Sequence, residues 1–491
     1  MGIGLRNWST TTANNASLTG SADAINWKEG QAPSTVNNSA RETLSQIRAG
    51  FEDVAGGWFD YGDPPGTRNG AEFSLTGTHS VTYAVGRRLR MKGGSVGTVY
   101  GVITTNSISG GNSIIGVEFT PSISLSGTLS EVALSIRNPP LPGRNLITNG
   151  AMNVAQRSTS STGRGTSSGY YVQDRFRDSN EGVGTGRYTW TQTADGPVGF
   201  ANCIKVDCTT ADGTLAAGVN QSIEARLEAQ DLQLLAYGNA AAKTITLSFY
   251  VKCTSTGTLS VLLRQQDGGR SYHQNYTIYG AGWERKTLVF PGDPSGAMAD
   301  DNGIGFSIYW SLAAGSNFKG GTSGSWVTHN NNLYGTGDTL NVLGDTATNW
   351  FMTGVQLEVT PDGSGALETP FEHEDYATTL AKCQRYFWRR TRSGGTNHFL
   401  GMVYLKTTSV ADGVVSFPQT MRAAATIAFS AVDDFAVNHN NSAVTTSNMT
   451  AVTPGTDNVL IQCTASGFTV GQAGYFYLHT NGDYIQASAE L

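Results

Sequence analysis

The dominant pattern in the chain is a period of two. Along TITLSFYVKC, Ile245, Leu247, Phe249 and Val251 alternate with Thr246, Ser248, Tyr250 and Lys252. Alternation of β-branched and aromatic residues with polar ones marks a strand with one face buried. Similar runs recur at residues 258–263, 276–279, 287–290, 304–309 and 351–359, separated by Gly, Pro, Asp and Asn. Many short strands punctuated by turn residues predict a β-sandwich or jelly roll. Further strands are expected at 73–75, 81–83, 88–91, 98–104, 113–119 and 131–136, and at 399–405, 414–417, 426–430, 458–463 and 475–478.

Helical spacing is confined to three places. Pro33 and Ser34 form a helix start, and Val36, Ala40, Leu44, Ile47 and Phe51 follow at intervals of four, four, three and four. That spacing gives one apolar stripe on a single helix. A lone stripe needs a partner; it is a symmetry mate in a three-helix bundle, or else the next β domain. Residues 223–237 (IEARLEAQDLQLLAY) read as a helical interruption, and 378–385 as a short helix carrying Leu380 and Cys383. Residues 158–168, rich in Ser, Thr and Gly, read as a flexible loop.

The length of 491 residues is too great for one core. NPPLPG at 138–143 is a stiff linker, because proline fixes φ and cannot extend a central strand. The expected fold is mainly β. Residues 1–62 form an extended segment plus helix, 63–140 a small β domain, 144–376 a central jelly-roll sandwich and 377–491 a C-terminal β-sandwich tip. Trp8, Trp27 and Trp58 are anchors for core or interface.

Composition narrows the class. Gly is 61 of 491 residues and charged residues only 14%, against a usual ~25%. A charge-poor, Gly-rich chain with 10% aromatic residues suits an all-β extracellular or virion protein better than a disordered one. The net charge of −6 gives no basic face for nucleic acid. There is no run of about twenty apolar residues, hence no expected membrane span. The segment MGIGLRNWSTTTANNAS lacks the apolar core of a signal peptide, and Arg6 breaks the myristoylation pattern. An extracellular role without an export signal suggests release by lysis. Cys203, Cys208, Cys253, Cys383 and Cys463 are odd in number and match no zinc spacing, so they read as small buried hydrophobes.

Several segments carry a resemblance. LSFYVK, WERKTLVFPGD, NGIGFSIYWSLAAGSNF, FMTGVQLE and TPFE followed by LAKCQRYF stand in this order. Together they resemble the jelly-roll module of phage tail-fibre proteins and related virion structural proteins, a module similar in fold to carbohydrate-binding modules. NLITNG followed by QR and DRF belongs to the same resemblance, as does INWKEGQAPSTVNNSAR near the N-terminus and FPQTMRAAATIAF at the start of the tip. The resemblance implies a fibrous homotrimer, with the N-terminus docked on a phage tail or baseplate protein. It implies a virion location, a C-terminal tip that reads a host surface polysaccharide or other receptor, and no cofactor.

Few residue constellations point to chemistry. Glu368, Glu372, Glu374 and Asp375 cluster around TPFEHED, but a glycosidase pair needs two carboxylates held across a cleft. A solvated loop or inter-subunit contact is the plainer reading. No β-helix repeat, GxSxG elbow or His pair at i and i+4 occurs, so no enzyme is expected. Asp174 and Arg175 read as a structural pair. Asp300-Asp301-Asn302-Gly303 reads as an Asp-rich turn before it reads as a calcium site, and Arg87, Arg88, Arg90 and Lys92 as a solvated strand face. Glycan binding needs aromatic faces beside amides and carboxylates. Tyr272, His273, Tyr276, Trp310 and Trp326 offer these in the jelly roll. Trp388, Arg389, Arg390, Tyr475, Tyr477 and Asp483 offer them in the tip, where the binding site is expected. The expected function is host adhesion. A non-adhesive baseplate, collar or capsid fibre is the alternative, and a glycan-cleaving tail spike the third.

Overall fold

The computed structural model describes residues 58–60, 65–69, 72–79, 82–83, 87–93, 98–119, 129–135 and 144–491, apart from 183, 323, 361–367 and 395–397. The expected helix with Val36, Ala40, Leu44, Ile47 and Phe51 lies outside the described residues. The chain divides into two compact units, residues 1–142 and 143–491.

In the first unit, β1 (Trp58–Asp60), β2 (Pro65–Asn69), β3 (Glu72–Thr76), β4 (Arg88–Gly93), β5 (Thr98–Ser109), β6 (Asn112–Phe119) and β7 (Leu129–Ser135) form one sheet. Its order is β1-β7-β4-β5-β6-β3-β2. Phe73, Leu75, Leu89, Met91, Ile103, Ile115, Val117 and Leu134 alternate inward along these strands to make its core. Residues 82 and 83, expected in a strand, instead sit in a turn. Asn106 holds that turn by donating to the Tyr83 carbonyl at 2.8 Å. Arg90 and Lys92 both pair with Glu131, at 2.6 and 2.7 Å.

The second unit holds two sandwiches. The jelly roll comprises β8 (Ser160–Arg164), β9 (Phe176–Glu181), β10 (Arg187–Thr193), β11 (Cys203–Thr210), β12 (Asn220–Glu228), β13 (Ile245–Cys253), β14 (Gly257–Gln265), β15 (Arg270–Ile278), β16 (Glu284–Phe290), β17 (Ile304–Ala314), β18 (Val327–Thr328) and β19 (Asn349–Val359). One sheet runs β16-β13-β19-β11-β10-β8, the other β18-β15-β14-β17-β12-β9. Their inward residues interdigitate, with Trp190, Trp310 and Trp350 fully buried between them. Burying aromatic rings of this size dominates the energetics of such a core.

Three sequence readings change here. Residues 223–228 are strand, followed by a 3₁₀ helix at Ala229–Leu235. Helix-forming Glu224, Ala225, Arg226 and Leu227 are held extended because β12 sits between β17 and β9, bonded on both edges. The loop at 158–168 contains β8, paired to β10. And β13 is covered on both faces. Its outward Thr246 and Ser248 are buried, Thr246 meeting Thr360 at 2.9 Å and Ser248 the guanidinium of Arg285.

The TPFEHED tract does the covering. Glu358 accepts the Thr369 amide at 2.7 Å, and Gln356 accepts the Glu372 amide at 2.8 Å. Glu372 accepts the Asn145 amide at 2.7 Å, Glu368 lies 3.7 Å from Arg285, and Glu374 pairs with Lys382. Asp375 caps the helix α1 (Tyr376–Gln384) by accepting the Thr378 amide. The tract is a packed clasp within one chain instead of a solvated loop.

After α1 come β20 (Phe387–Thr391), β21 (His398–Leu405), β22 (Val410–Ser416), β23 (Thr426–Phe429), β24 (Phe435–His439), β25 (Ser442–Thr445), β26 (Asn448–Pro454), β27 (Asn458–Thr464), β28 (Ala473–Leu478) and β29 (Tyr484–Ser488). A seven-stranded sheet, β25-β24-β28-β21-β22-β27-β26, packs on the three-stranded sheet β20-β29-β23. Between them lie Leu405, Phe435, Val437, Val459, Ile461, Phe476, Leu478 and Ile485.

The two sandwiches are riveted together. Arg385 forks onto Glu228 through two bonds of 2.8 Å, and Gln156 donates to the Phe387 carbonyl at 2.7 Å. Arg157 and Arg175 hold Glu490 at 3.0 and 2.5 Å, while Arg226 donates to the Leu491 carbonyl. The Arg157 guanidinium also lies 3.5 Å over Phe387, and that of Arg175 3.4 Å over Tyr386. Asp174 and Arg175 are therefore not partners of one another. Asp174 accepts from the Gln156 amide and lies 3.7 Å from Arg157. The Asp300–Gly303 turn joins the seam too, Asn302 and Arg422 exchanging side-chain bonds to each other's carbonyls. Among the described residues, no helix is long and apolar enough to cross a membrane. All five cysteines are buried and unpaired.

Candidate binding surface

The open face of the seven-stranded sheet carries an aromatic cluster built around β21. In HFLGMVYL, Val403 and Leu405 point into the core, so Met402 and Tyr404 point out. Strict alternation would turn Phe399 inward with Val403. A bulge prevents this: Phe399 pairs with Tyr477 and Gly401 with Phe476, leaving Leu400 as the extra residue, packed against the core. The bulge re-aims Phe399 onto the outer face. Gly401 is needed beside it, because a Cβ there would meet the Val414 carbonyl oxygen at 2.7 Å.

The neighbouring strands extend the patch. On β28, Phe476 and Leu478 fill the core while Tyr475 and Tyr477 face out. Phe399 stands edge-on to Tyr475, ring centroids 5.0 Å apart, and 6.0 Å from Tyr477. Tyr477 is roofed by these rings and is nearly inaccessible; burial raises its phenol above the usual range. On β22, Asp412 and Val414 face out. Phe399, Met402, Tyr404 and Val414 are 52%, 65%, 55% and 50% exposed. Large apolar residues this exposed and this contiguous mark a recognition surface more than a resting one.

Polar groups edge the cluster. Asp412 lies across from Gln462 on β27, which donates to it at 3.1 Å, and Lys406 approaches the other carboxylate oxygen at 3.3 Å. On the far side Asn438 stands opposite Tyr475. Rings, amides and a carboxylate on one flat face can stack on the apolar side of a sugar and exchange bonds with its hydroxyls.

The residues singled out from sequence fall into two groups. Tyr475 and Tyr477 belong to this cluster. Trp388 is buried against Phe417 and offers no free ring face. Arg389 lies 4.0 Å over Tyr484 and bonds Gln486 and the Arg157 carbonyl, so it serves the seam between sandwiches. Arg390 is exposed on β20. Asp483 is buried in a turn, accepting the Thr480 amide. In the jelly roll, Tyr272, His273, Tyr276 and Trp310 are buried, and Trp326 donates its indole N–H to the Pro291 carbonyl at 2.6 Å. Phe399, Met402, Tyr404, Val414, Asp412 and Gln462 were not singled out. Their signal was in the sequence: FLGMVYL is apolar at nearly every position, too much for a strand with one wet face.

Among the described residues, no group of three or more His, Cys, Asp or Glu stands together as a metal-ligand set. Several buried carboxyls and imidazoles with shifted titration lie in the jelly roll. Burial pushes Asp174, Asp178 and Asp338 up to about 6, and holds His273 and His329 down to about 4.

No family model matches the chain, and no curated protein does. Among solved structures, a CBM4 module is similar at 14% identity and a TM-score of 0.23, over 44% of this chain and 99% of its own. A family 11 carbohydrate-binding module from Clostridium thermocellum, in complex with a β-1,3-1,4-mixed-linked tetrasaccharide, is similar at 14% identity and a TM-score of 0.22, over 41% and 96%. An apo-form cyclase from Fischerella sp. is similar at 11% identity and a TM-score of 0.23, over 46% and 92%. At these TM-scores the likenesses carry no argument about this chain, whose fold is read from its own sheets.

Proposed function

We propose that this chain is an adhesive, non-catalytic fibre of a phage virion that binds a glycan on the host surface through the outer face of its seven-stranded sheet. One observation carries the binding half: Phe399, Met402, Tyr404 and Tyr475 form an open aromatic and apolar surface edged by Asp412, Gln462 and Asn438. The tail-fibre resemblance of the sequence supports the virion half, with residues 1–62 docking on a tail or baseplate protein. Three copies in a homotrimer would engage one surface together, and avidity would multiply a weak single-site affinity. Glu368 and the three carboxylates of TPFEHED support a structural role for that tract, since each is committed to an amide, a cation or a helix cap.

The test is binding of labelled full-length protein to a panel of bacterial strains, with Met402→Ala/Tyr404→Ala beside it. Both side chains are exposed, so thermal unfolding and native mass should not change. The expected result is binding to at least one strain and its loss in the double variant. Equal binding by both proteins places adhesion elsewhere. An assembled wild type that binds no strain favours a spacer that only builds the particle.

A further inference from the structure

The shape and charge of the aromatic face restrict what it can hold. Resting on the adhesive reading above, we propose that its ligand is the interior of an uncharged, extended polysaccharide, laid along β21 from Tyr404 to Phe399.

The dimensions come first. The apolar surface spans three strands, β28, β21 and β22. That is roughly 10 Å across at strand spacing, and roughly 13 Å long between Tyr404 and Phe399 once the bulge is allowed for. A stable protein partner needs about 800 Å² on each side, several times this area. A single sugar chain of about three rings covers it. A long, narrow apolar track with polar margins suits an extended polymer whose ring faces lie down and whose hydroxyls point sideways.

Charge comes second. Among the outward residues of these three strands, Asp412 is the one ionised group, and Lys406 lies against it at 3.3 Å. An anionic polymer would meet no unneutralised cation over Met402, Tyr404 or Tyr475. Arg392 acts at the opposite end, where its charge reaches the covered Tyr477. Asp412, Gln462 and Asn438 supply acceptors and donors for neutral hydroxyls on both margins.

Flatness comes third. Two clefts among the described residues lie elsewhere, one between Asn145–Asn153 and Phe371–Lys382, the other around Leu146, Arg226 and Tyr386. A chain end is recognised by a pocket that closes around it. An open face reads the repeating interior.

The experiment is affinity electrophoresis of the full-length protein through gels containing dextran, pullulan, mannan or laminarin as neutral polymers, and alginate or hyaluronate as anionic ones. Expected is retardation by at least one neutral polymer, unchanged between roughly 50 and 300 mM salt because no charge is screened, and at least about tenfold weaker for Tyr404→Ala. Oligosaccharides cut from that polymer should compete better with each added ring up to about three and then level off. Retardation by anionic polymers alone, or full competition by a monosaccharide, overturns this inference; if Tyr404→Ala still abolishes it, the adhesive face stands. Retardation by no polymer overturns the inference alone, the adhesive reading being decided by strain binding; retardation that neither Tyr404→Ala nor Met402→Ala affects overturns both.

Discussion

Arg175 and Glu490 are 315 residues apart in sequence and 2.5 Å apart in space. Both are almost wholly buried, and each has a second partner: Arg175 donates to the Arg226 carbonyl, and Glu490 receives Arg157. The jelly roll thus supplies the cations and the last strand's tail supplies the anion. Glu490→Gln keeps the shape and removes the charge, leaving two guanidinium groups facing each other's positive field. Breaking a buried pair by neutralising one partner costs about 3–5 kcal/mol. Denaturant unfolding should show a loss near the lower end, because Arg175 keeps its carbonyl bond. An unchanged midpoint would mean the ion pair is idle.

Two sets of buried groups pull stability in opposite directions when the solution is made mildly acidic. Asp174, Asp178 and Asp338 are each raised by burial from 3.8 to about 6. The folded state therefore holds these protons more tightly than the unfolded chain, and folding takes up protons between pH 4 and 6. The gain is fully present below the unfolded value and is lost as pH rises through 6. From pH 7 to 5 it amounts to about 1–4 kcal/mol for the three groups. His273 and His329 act in the opposite direction over the same range. Burial holds them down to about 4 from 6.5, so the unfolded chain takes up their protons first. Their contribution is present above 6.5 and is lost as pH falls towards 4. The loss is up to about 2 kcal/mol for each group between pH 7 and 5, less for the half-buried His329, which water screens. Glu224 and Glu228, held below 4.5 by their arginine partners despite burial, add a further loss as pH falls past that point. Unfolding midpoints should therefore change little between pH 7 and 5 and fall below about 4.5. Asp338→Asn removes one of the opposing shares, so stability should fall between pH 7 and 5 in that variant by about 1 kcal/mol more than in the wild type; identical pH profiles would contradict the burial of that carboxyl.

Gly401→Ala tests the bulge. Its Cβ would meet the Val414 carbonyl oxygen at 2.7 Å and Phe476 at 3.3 Å, with backbone on one side and a packed ring on the other. Strands β21 and β22 must move apart, at a cost of about 1–3 kcal/mol. Phe399 and Val414 would shift with them, so polysaccharide retardation should weaken along with stability. Retained stability and retained binding would show that the strands tolerate the methyl group.

Much of the fold was written in the alternation of the strands, because inward residues of a sandwich must be apolar whatever the topology. What stayed hidden has local causes. Glu224 and Arg226 look helical, and it is β17 on one edge and β9 on the other, β9 bringing Arg177 to within 2.6 Å of Glu224, that make their extended state favourable. Ser160–Arg164 has no apolar signal at all, being held to β10 by backbone bonds. The binding face was half visible. Tyr475 and Tyr477 could be picked out as aromatic, but the partner that covers Tyr477 is Phe399, and one extra residue at Leu400 reverses its side of the sheet. Counting by twos fails at such a position. Trp388 was attractive for its size, which is the property that also placed it in the core.

The seam between the sandwiches bears on how such a protein could diversify. A crossover near residue 376 would exchange the surface-reading sheet yet part Glu490 from Arg157 and Arg175, Arg385 from Glu228, and Arg422 from Asn302. A hybrid so made would inherit unmatched buried charges from both parents. The unit that can be exchanged intact is the whole of residues 143–491, and recombinants that carry it should show their breakpoints in the proline-rich stretch just before it.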